Sequence, residues 1–309
     1  MYIIGENIHI IAPKVKQAFI DRDAVFLMDV ARRQVEAGAS ALDLNVGPQK
    51  KAGPEIMSWL VDVVQEGVGN DVPLSLDTTN LAAIEAGLQK IKPGLGIINS
   101  ASAEEERLEK VPPVAAQYNA RLVVLTMGKS GIPVSAEARV SIFLEAIMPR
   151  LEEVGLPLEN VIVDPLVLTV SGCQEYVPEC IEAVRILKNC GLPCTVSVGL
   201  SNVSNAVPAA NRPLLNRVYM VMLMAAGLDA VIADPLDSHL LEFIRVIEQR
   251  DDSTALNRLL LKLYDKTAAV EEVEPGDVED MNDLEQAAIW KTIRVLLNKT
   301  IYADAYLTI

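Results

Sequence analysis

Short runs of branched apolar residues alternate with longer segments of helical period, and this alternation occurs eight times along the chain. The runs lie at residues 2–5, 41–45, 74–77, 96–99, 122–126, 161–164, 195–199 and 230–234. They are rich in Val, Ile and Leu, as expected of parallel strands buried on both faces. Amphipathic stretches at 24–37, 54–66, 81–90, 136–154, 179–189 and 217–226 separate them. Gly38, Gly155, Gly191 and Gly227 each follow one such stretch, where a left-handed cap favours glycine. Eight βα units in about 250 residues match an α/β (β/α)8 TIM barrel in count and size. Their even spacing favours the barrel over a doubly wound open sheet.

Charge and residue usage exclude several classes of function. The 309 residues carry 42 acidic against 27 basic side chains, a net −15, which argues against nucleic acid and anionic membranes as partners. The longest apolar run, 218–233, is broken by Gly227 and Asp229 and is too short to span a bilayer. The opening MYIIGENIHI reads as a strand rather than a signal peptide, so a cytoplasmic location is expected. Cys173, Cys180, Cys190 and Cys194 are the four cysteines, and His9 and His239 the two histidines. No Cys-His pair is framed for zinc, so no bound metal is expected and the thiols read as structural.

The residues that follow each strand carry the chemistry. Glu6-Asn7 follows the first, and Asn45, Asp77, Asn99, Thr126, Asp164 and Asp234 end others; the seventh runs into Gly199-Leu-Ser-Asn202. In a barrel these ends converge on one face. Asp and Asn also cap helices, an alternative that holds for Thr126 and Asp234 taken singly. So many carboxylates and carboxamides together, without a basic set or a G-x-G-x-x-G loop, make a poor phosphate site. They suit a neutral or cationic donor-rich heterocycle, since one carboxylate accepts two parallel N–H bonds.

Ala41-Leu-Asp-Leu-Asn-Val-Gly47, Leu76-Asp-Thr-Thr-Asn80, Ile98-Asn-Ser100 and Val163-Asp-Pro-Leu166 resemble successive motifs of the pterin-binding TIM barrels. Gly199-Leu-Ser-Asn-Val-Ser204 and Asn211-Arg-Pro-Leu214 narrow the resemblance to the methyltetrahydrofolate–corrinoid protein methyltransferases of the acetyl-CoA pathway and demethylase systems. The similarity runs from Ile3 to about Ile247 and resumes at Leu296-Leu-Asn-Lys-Thr-Ile-Tyr-Ala-Asp304. It implies that Asp77, Asn99 and Asp164 hydrogen-bond the pterin and that Asn202 lies beside N5. It implies further that Gly199, Ser201, Arg212 and Ile232 line the same pocket, although an Asn-Arg-Pro helix start also suits Arg212 to orienting a loop.

A tertiary amine is a poor leaving group, so N5 must be protonated, or given a hydrogen bond, as the methyl departs. An amide donates a hydrogen bond but supplies no proton; the proton is therefore expected from solvent, with Asn202 positioning it. The nucleophile implied is cobalt(I) of a corrinoid (cobalamin type). No Asp-x-His-x-x-Gly run is present, so the corrinoid is expected on a partner protein, and the resemblance implies a homodimer. The same residues serve either direction, from methyltetrahydrofolate to corrinoid or from methylcorrinoid to tetrahydrofolate. The competing readings are a dihydropteroate synthase-like enzyme, which requires a basic diphosphate site, and a non-catalytic pterin-binding protein. The chain reads as one domain, 1–309, with an insertion at approximately 248–293 in the eighth helical unit. Within that insertion 256–268 reads as an amphipathic helix, and 271–285 packs eight acids with no basic residue, as a solvated loop or a docking element.

Overall fold

A computed structural model of the chain describes residues 1–47 and 51–308. Eight strands form its centre: β1 (Tyr2–His9), β2 (Ala41–Asn45), β3 (Leu74–Asp77), β4 (Gly96–Ser102), β5 (Arg121–Leu125), β6 (Val161–Asp164), β7 (Thr195–Gly199) and β8 (Ala230–Ala233). Each pairs in parallel with its sequence neighbours, and β8 pairs with β1, so the sheet closes. The sequence expectation of a (β/α)8 barrel is met. Gly38, Gly155, Gly191 and Gly227 have φ of +106°, +70°, +66° and +100°, the left-handed region expected for each.

Period-two alternation sorts the strand residues into two environments. Leu42, Leu44, Leu74, Leu76, Val196 and Val198 join the large apolar layer under the helices. Ile4, Ala41, Ile97, Val123 and Ile162 form a separate buried plug inside the barrel. At one end of the plug, Arg121 donates to Thr195 Oγ1 at 2.9 Å and lies 5.5 Å from the Tyr2 ring centre. At the other end the inward side chains become polar, and the site begins.

Two strands run further than their apolar residues suggest. β1 continues to His9 with a shift in register between Gly5 and Ile8, and β4 continues to Ser102 with one between Asn99 and Ala101. The 136–154 segment is interrupted by a π-helical turn at Ile142–Ile147. It lies just ahead of Pro149, which has no N–H to continue the α-helical ladder. The long apolar run after 217 also finds its explanation. The helix Arg212–Ala225 is buried around most of its circumference because the helices Ala255–Ala268 and Leu284–Leu296 pack over it.

The acidic segment 271–285 is strapped to its neighbours. Asp277 pairs with Lys266 at 2.6 Å, Glu279 with Arg258 at 2.6 Å, and Glu272 with Lys299 at 2.7 Å. Sequence-local counting hides these partners, which all lie outside the segment. No helix among the described residues is long and apolar enough to cross a membrane.

Arg139 has no accessible surface. Its guanidinium donates to the carbonyls of Pro133, Val134, Pro165 and Leu166 at 2.9–3.3 Å, joining the loops after β5 and β6. Arg139→Met keeps an apolar stem but strands those acceptors. We expect a loss of stability on the order of 3 kcal/mol in urea unfolding. A change below about 0.5 kcal/mol, the level of an ordinary surface substitution, would contradict this role.

Candidate active site

The C-terminal strand ends surround a cavity of about 560 Å³, within the range of small-ligand pockets. All eight residues singled out from the sequence line it. Asp77, Asn99 and Asp164 come from the ends of β3, β4 and β6, Gly199 ends β7, and Ile232 forms apolar floor from β8. Ser201 and Asn202 sit on the turn after β7, and Arg212 opens the next helix. Thr126 and Asp234 do not line this cavity; Asp234 accepts from Asn7 Nδ2 and from the Leu236 N–H, both at 2.9 Å.

Two further carboxyls do line it, Asp43 and Glu6. Asp43 shares the inward face with Asn45, two residues on, and alternation along 41–45 was the signal for it. Glu6 reads as a loop residue when the first strand is ended at Gly5. It enters the cavity because β1 continues past it.

The carboxylates are held by short polar bonds. Asp43 Oδ1 accepts from Ser75 Oγ at 2.6 Å and from Asn99 Nδ2 at 3.2 Å. Asp77 accepts from the Asn45 amide, whose own Oδ1 accepts from the Gly47 N–H at 3.0 Å. Asp164 Oδ1 accepts from the Leu166 N–H at 2.7 Å, on the turn that Arg139 clamps. Ser201 Oγ donates to Glu6 Oε2 at 3.2 Å.

The loop after β7 is equally constrained. Asn205 Nδ2 donates to Asn202 Oδ1 at 3.2 Å, which orients the Asn202 amide and leaves its N–H2 on the other side. A Cβ on Gly199 would come within 2.9 Å of Asn202 Nδ2, so any larger residue there would push that amide from its place over the strand end. Arg212 Nε donates to Ser204 Oγ at 3.2 Å. The preceding Asn211 holds the Asp304 carbonyl at 2.7 Å, so the chain's last segment braces this loop.

Burial sets the electrostatics. It pushes the Asp164 carboxyl up to about 7 against the opposing pull of the Leu166 and Gly199 N–H groups and of Arg139. It pushes Asp77 up to about 6, opposed by Asn45. Asp43 is raised well above the usual carboxylate range by burial and then by the Asp77 charge, with Ser75 and Asn99 opposing. Burial also lifts Glu6 to about 7; Ser201 opposes, Asp234 adds, and Arg212 opposes. His9 is lowered by burial and by Arg212. The ligand-free site therefore holds protons at neutral pH, and a ligand offering N–H donors favours their release.

Among the described residues no cysteine lines this cavity. The four cysteines are free; burial pushes Cys180 up to about 12, and Cys190 is exposed. Among the described residues no three His, Cys, Asp or Glu side chains are grouped to hold a metal ion.

Residues 15–234 match the family model described as pterin binding enzyme. The chain belongs to the pterin-binding enzyme family. This pterin-binding enzyme is 29% identical over 237 residues to the methylcorrinoid:tetrahydrofolate methyltransferase of Eubacterium limosum, across 76% of the chain and 85% of that relative. It is 30% identical to the methionine synthase of Mycobacterium tuberculosis across 80% of the chain, which spans 21% of that longer protein. The crystal structure of dihydropteroate synthase from Thermus thermophilus superposes with a TM-score of 0.59 at 20% identity, over 80% of this chain and 93% of that one. That likeness concerns the fold.

The raised carboxyls have a consequence for stability. The unfolded chain loses these protons near pH 4, whereas the folded chain keeps that of Asp164 to about 7. The stability it contributes is full below pH 4 and is lost as pH rises through 7. Asp164→Asn removes the buried charge, so the ligand-free variant should melt above wild type at pH 8, with the gap closing by pH 5. An equal loss of Tm at both pH values would contradict this reading.

Proposed function

We propose that the chain moves a methyl group between N5 of tetrahydrofolate and the cobalt of a corrinoid carried by a partner protein. The observation that carries the reading is the convergence of Asp77, Asn99, Asp164 and Asn202 on one cavity at the strand ends. The names of the Eubacterium and Mycobacterium relatives support methyl transfer involving tetrahydrofolate or a corrinoid, or methionine formation. Asp77 and Asp164 accept from the 2-amino and ring N–H groups of the pterin, and Asn99 completes that edge. Ile232 offers the ring an apolar surface, while Gly199, Ser201 and Arg212 shape the N5 side.

In the forward direction the N5–CH3 bond breaks and its electron pair stays on nitrogen, which takes up a proton. The electron pair of cobalt(I) forms the new Co–CH3 bond. Asn202 donates a hydrogen bond where charge develops on N5, a stabilisation realised chiefly in the transition state. The reverse direction uses the same contacts. The corrinoid arrives on another protein. A homodimer in the cytoplasm, with 248–293 as an insertion on the helical side, completes the proposal.

The dihydropteroate synthase-like reading draws on the structural neighbour. It is opposed by the charge of the site: among the described residues Arg212 is the one Arg or Lys lining the cavity. A diphosphate leaving group would meet Glu6, Asp43, Asp77 and Asp164 there. A non-catalytic pterin carrier would give the Asn202 amide no task.

Mixing the protein with methyltetrahydrofolate and reduced cobalamin, while following the corrinoid spectrum, tests the proposal. We expect methylcobalamin to form; a reproducible absence of transfer in either direction would overturn it. Asp164→Ala should weaken methyltetrahydrofolate binding about 10- to 150-fold in a titration, the value of one charged acceptor. Asn202→Ala should lower the single-turnover rate on the order of 10²–10³-fold at saturating pterin, with a smaller change in affinity. An unchanged rate would remove Asn202 from the chemistry.

A further inference from the structure

Resting on the methyl-transfer reading, we propose that Glu6 is the proton carrier for N5. Methyl departure leaves an electron pair on N5 that must take up a proton, and methyl arrival on N5–H must release one. The Asn202 amide donates a hydrogen bond but gives up no proton at neutral pH. Asp77 and Asp164 are committed as acceptors to the pterin edge.

Glu6 is placed differently from those acids. A second compartment of about 310 Å³, with polar and apolar walls, adjoins the ligand cavity, and Glu6, Ser201 and Arg212 line both. The second compartment is walled by Asn216, Asp234 and Asp237 and reaches the exposed Ala209. Glu6 thus stands between the reacting cavity and a route for water. Its Oε2 accepts from Ser201 Oγ at 3.2 Å, and Ser201 is the chain neighbour of Asn202. The carboxyl and the N5-facing amide are therefore organised by one short turn.

The groups around Glu6 set how readily it exchanges a proton. Asp234 after β8 favours the protonated form; the Ser201 hydroxyl and Arg212 favour the ionised form, Asp43 on β2 is itself held protonated by burial and by its acidic neighbours, and His9 lies on the same strand. The outcome is a carboxyl lifted by burial to about 7, able to give and regain a proton near neutrality. Forward, the Glu6 carboxylic acid passes its proton through cavity water to N5 as the N5–CH3 bond breaks. The resulting carboxylate regains a proton from water in the second compartment. In reverse, the carboxylate accepts the proton that N5 releases as the new N–CH3 bond forms.

The test is the single-turnover rate of methyl transfer from saturating methyltetrahydrofolate to reduced cobalamin between pH 5.5 and 8.5. Pterin affinity is titrated in parallel for wild type, Glu6→Gln and Glu6→Asp. Wild type should slow as pH rises through about 7. Glu6→Gln should be about 10²-fold slower below pH 7 and lose that pH dependence, with affinity within about threefold. Glu6→Asp should recover a sloping profile with a displaced midpoint, and it decides the matter where the Gln variant does not fold. A Glu6→Gln profile parallel to wild type, or a loss confined to pterin affinity, would overturn the proposal. Absence of transfer by wild type would instead remove the methyl-transfer reading, and the relay with it.

Discussion

Desolvation of carboxylates at the ends of barrel strands is the constraint on which the rest of the structure depends. A lone buried carboxylate is strongly disfavoured unless it is protonated or paired. Here Asp43, Asp77, Asp164 and Glu6 share one cavity, and only part of the penalty is offset inside the protein. Ser75, Asn99, Asn45 and the Leu166 N–H each donate to one of them, yet the proton affinity of all four acids stays raised. The remaining hydrogen-bonding capacity points into the cavity. A donor-rich ligand edge completes what the fold leaves incomplete, which is how a site stores affinity at the expense of apo stability.

Holding such a cluster requires a scaffold that does not relax around it. The apolar plug of Ile4, Ala41, Ile97, Val123 and Ile162 sets the floor. Arg139 fixes the turn that carries Leu166, and hence the bond to Asp164, by tying two loops together through backbone carbonyls. The last part of the chain returns to the same face. Gln174 binds the carbonyls of Val295 and Thr300 at 2.7 Å and the Tyr302 N–H at 2.7 Å, and Asn211 holds Asp304. Segments far apart in sequence thereby position the Ser201–Asn202 turn and Arg212.

Much of this was legible in the residues, for identifiable reasons. The barrel follows from eight short runs rich in Val, Ile and Leu, as expected of parallel strands buried on both faces under helices. Asp77, Asn99, Asp164 and Asn202 were visible because each directly ends or follows such a run. Asp43 was harder to see: it sits inside an apolar run, and its neighbour Asn45 drew attention to the strand end instead. Glu6 was visible as the residue after the first apolar run, but its place within β1 was not, because the register shift that carries the strand past Gly5 has no apolar signature. The partners of the acidic segment, Arg258, Lys266 and Lys299, were invisible for another reason. Charge complementarity between distant segments appears only when the chain is folded.

The central claim is that Asp77 and Asp164 hold protons before the ligand binds and surrender them to a donor-rich pterin. Calorimetry of methyltetrahydrofolate binding at pH 6, in buffers of different ionisation enthalpy, measures this directly. Asp164, lifted to about 7, is largely protonated at that pH, and Asp77, lifted to about 6, is about half protonated. Binding should therefore release about one proton or more, and release should fall in Asp164→Asn. Binding without proton exchange, or with net uptake, would contradict the account.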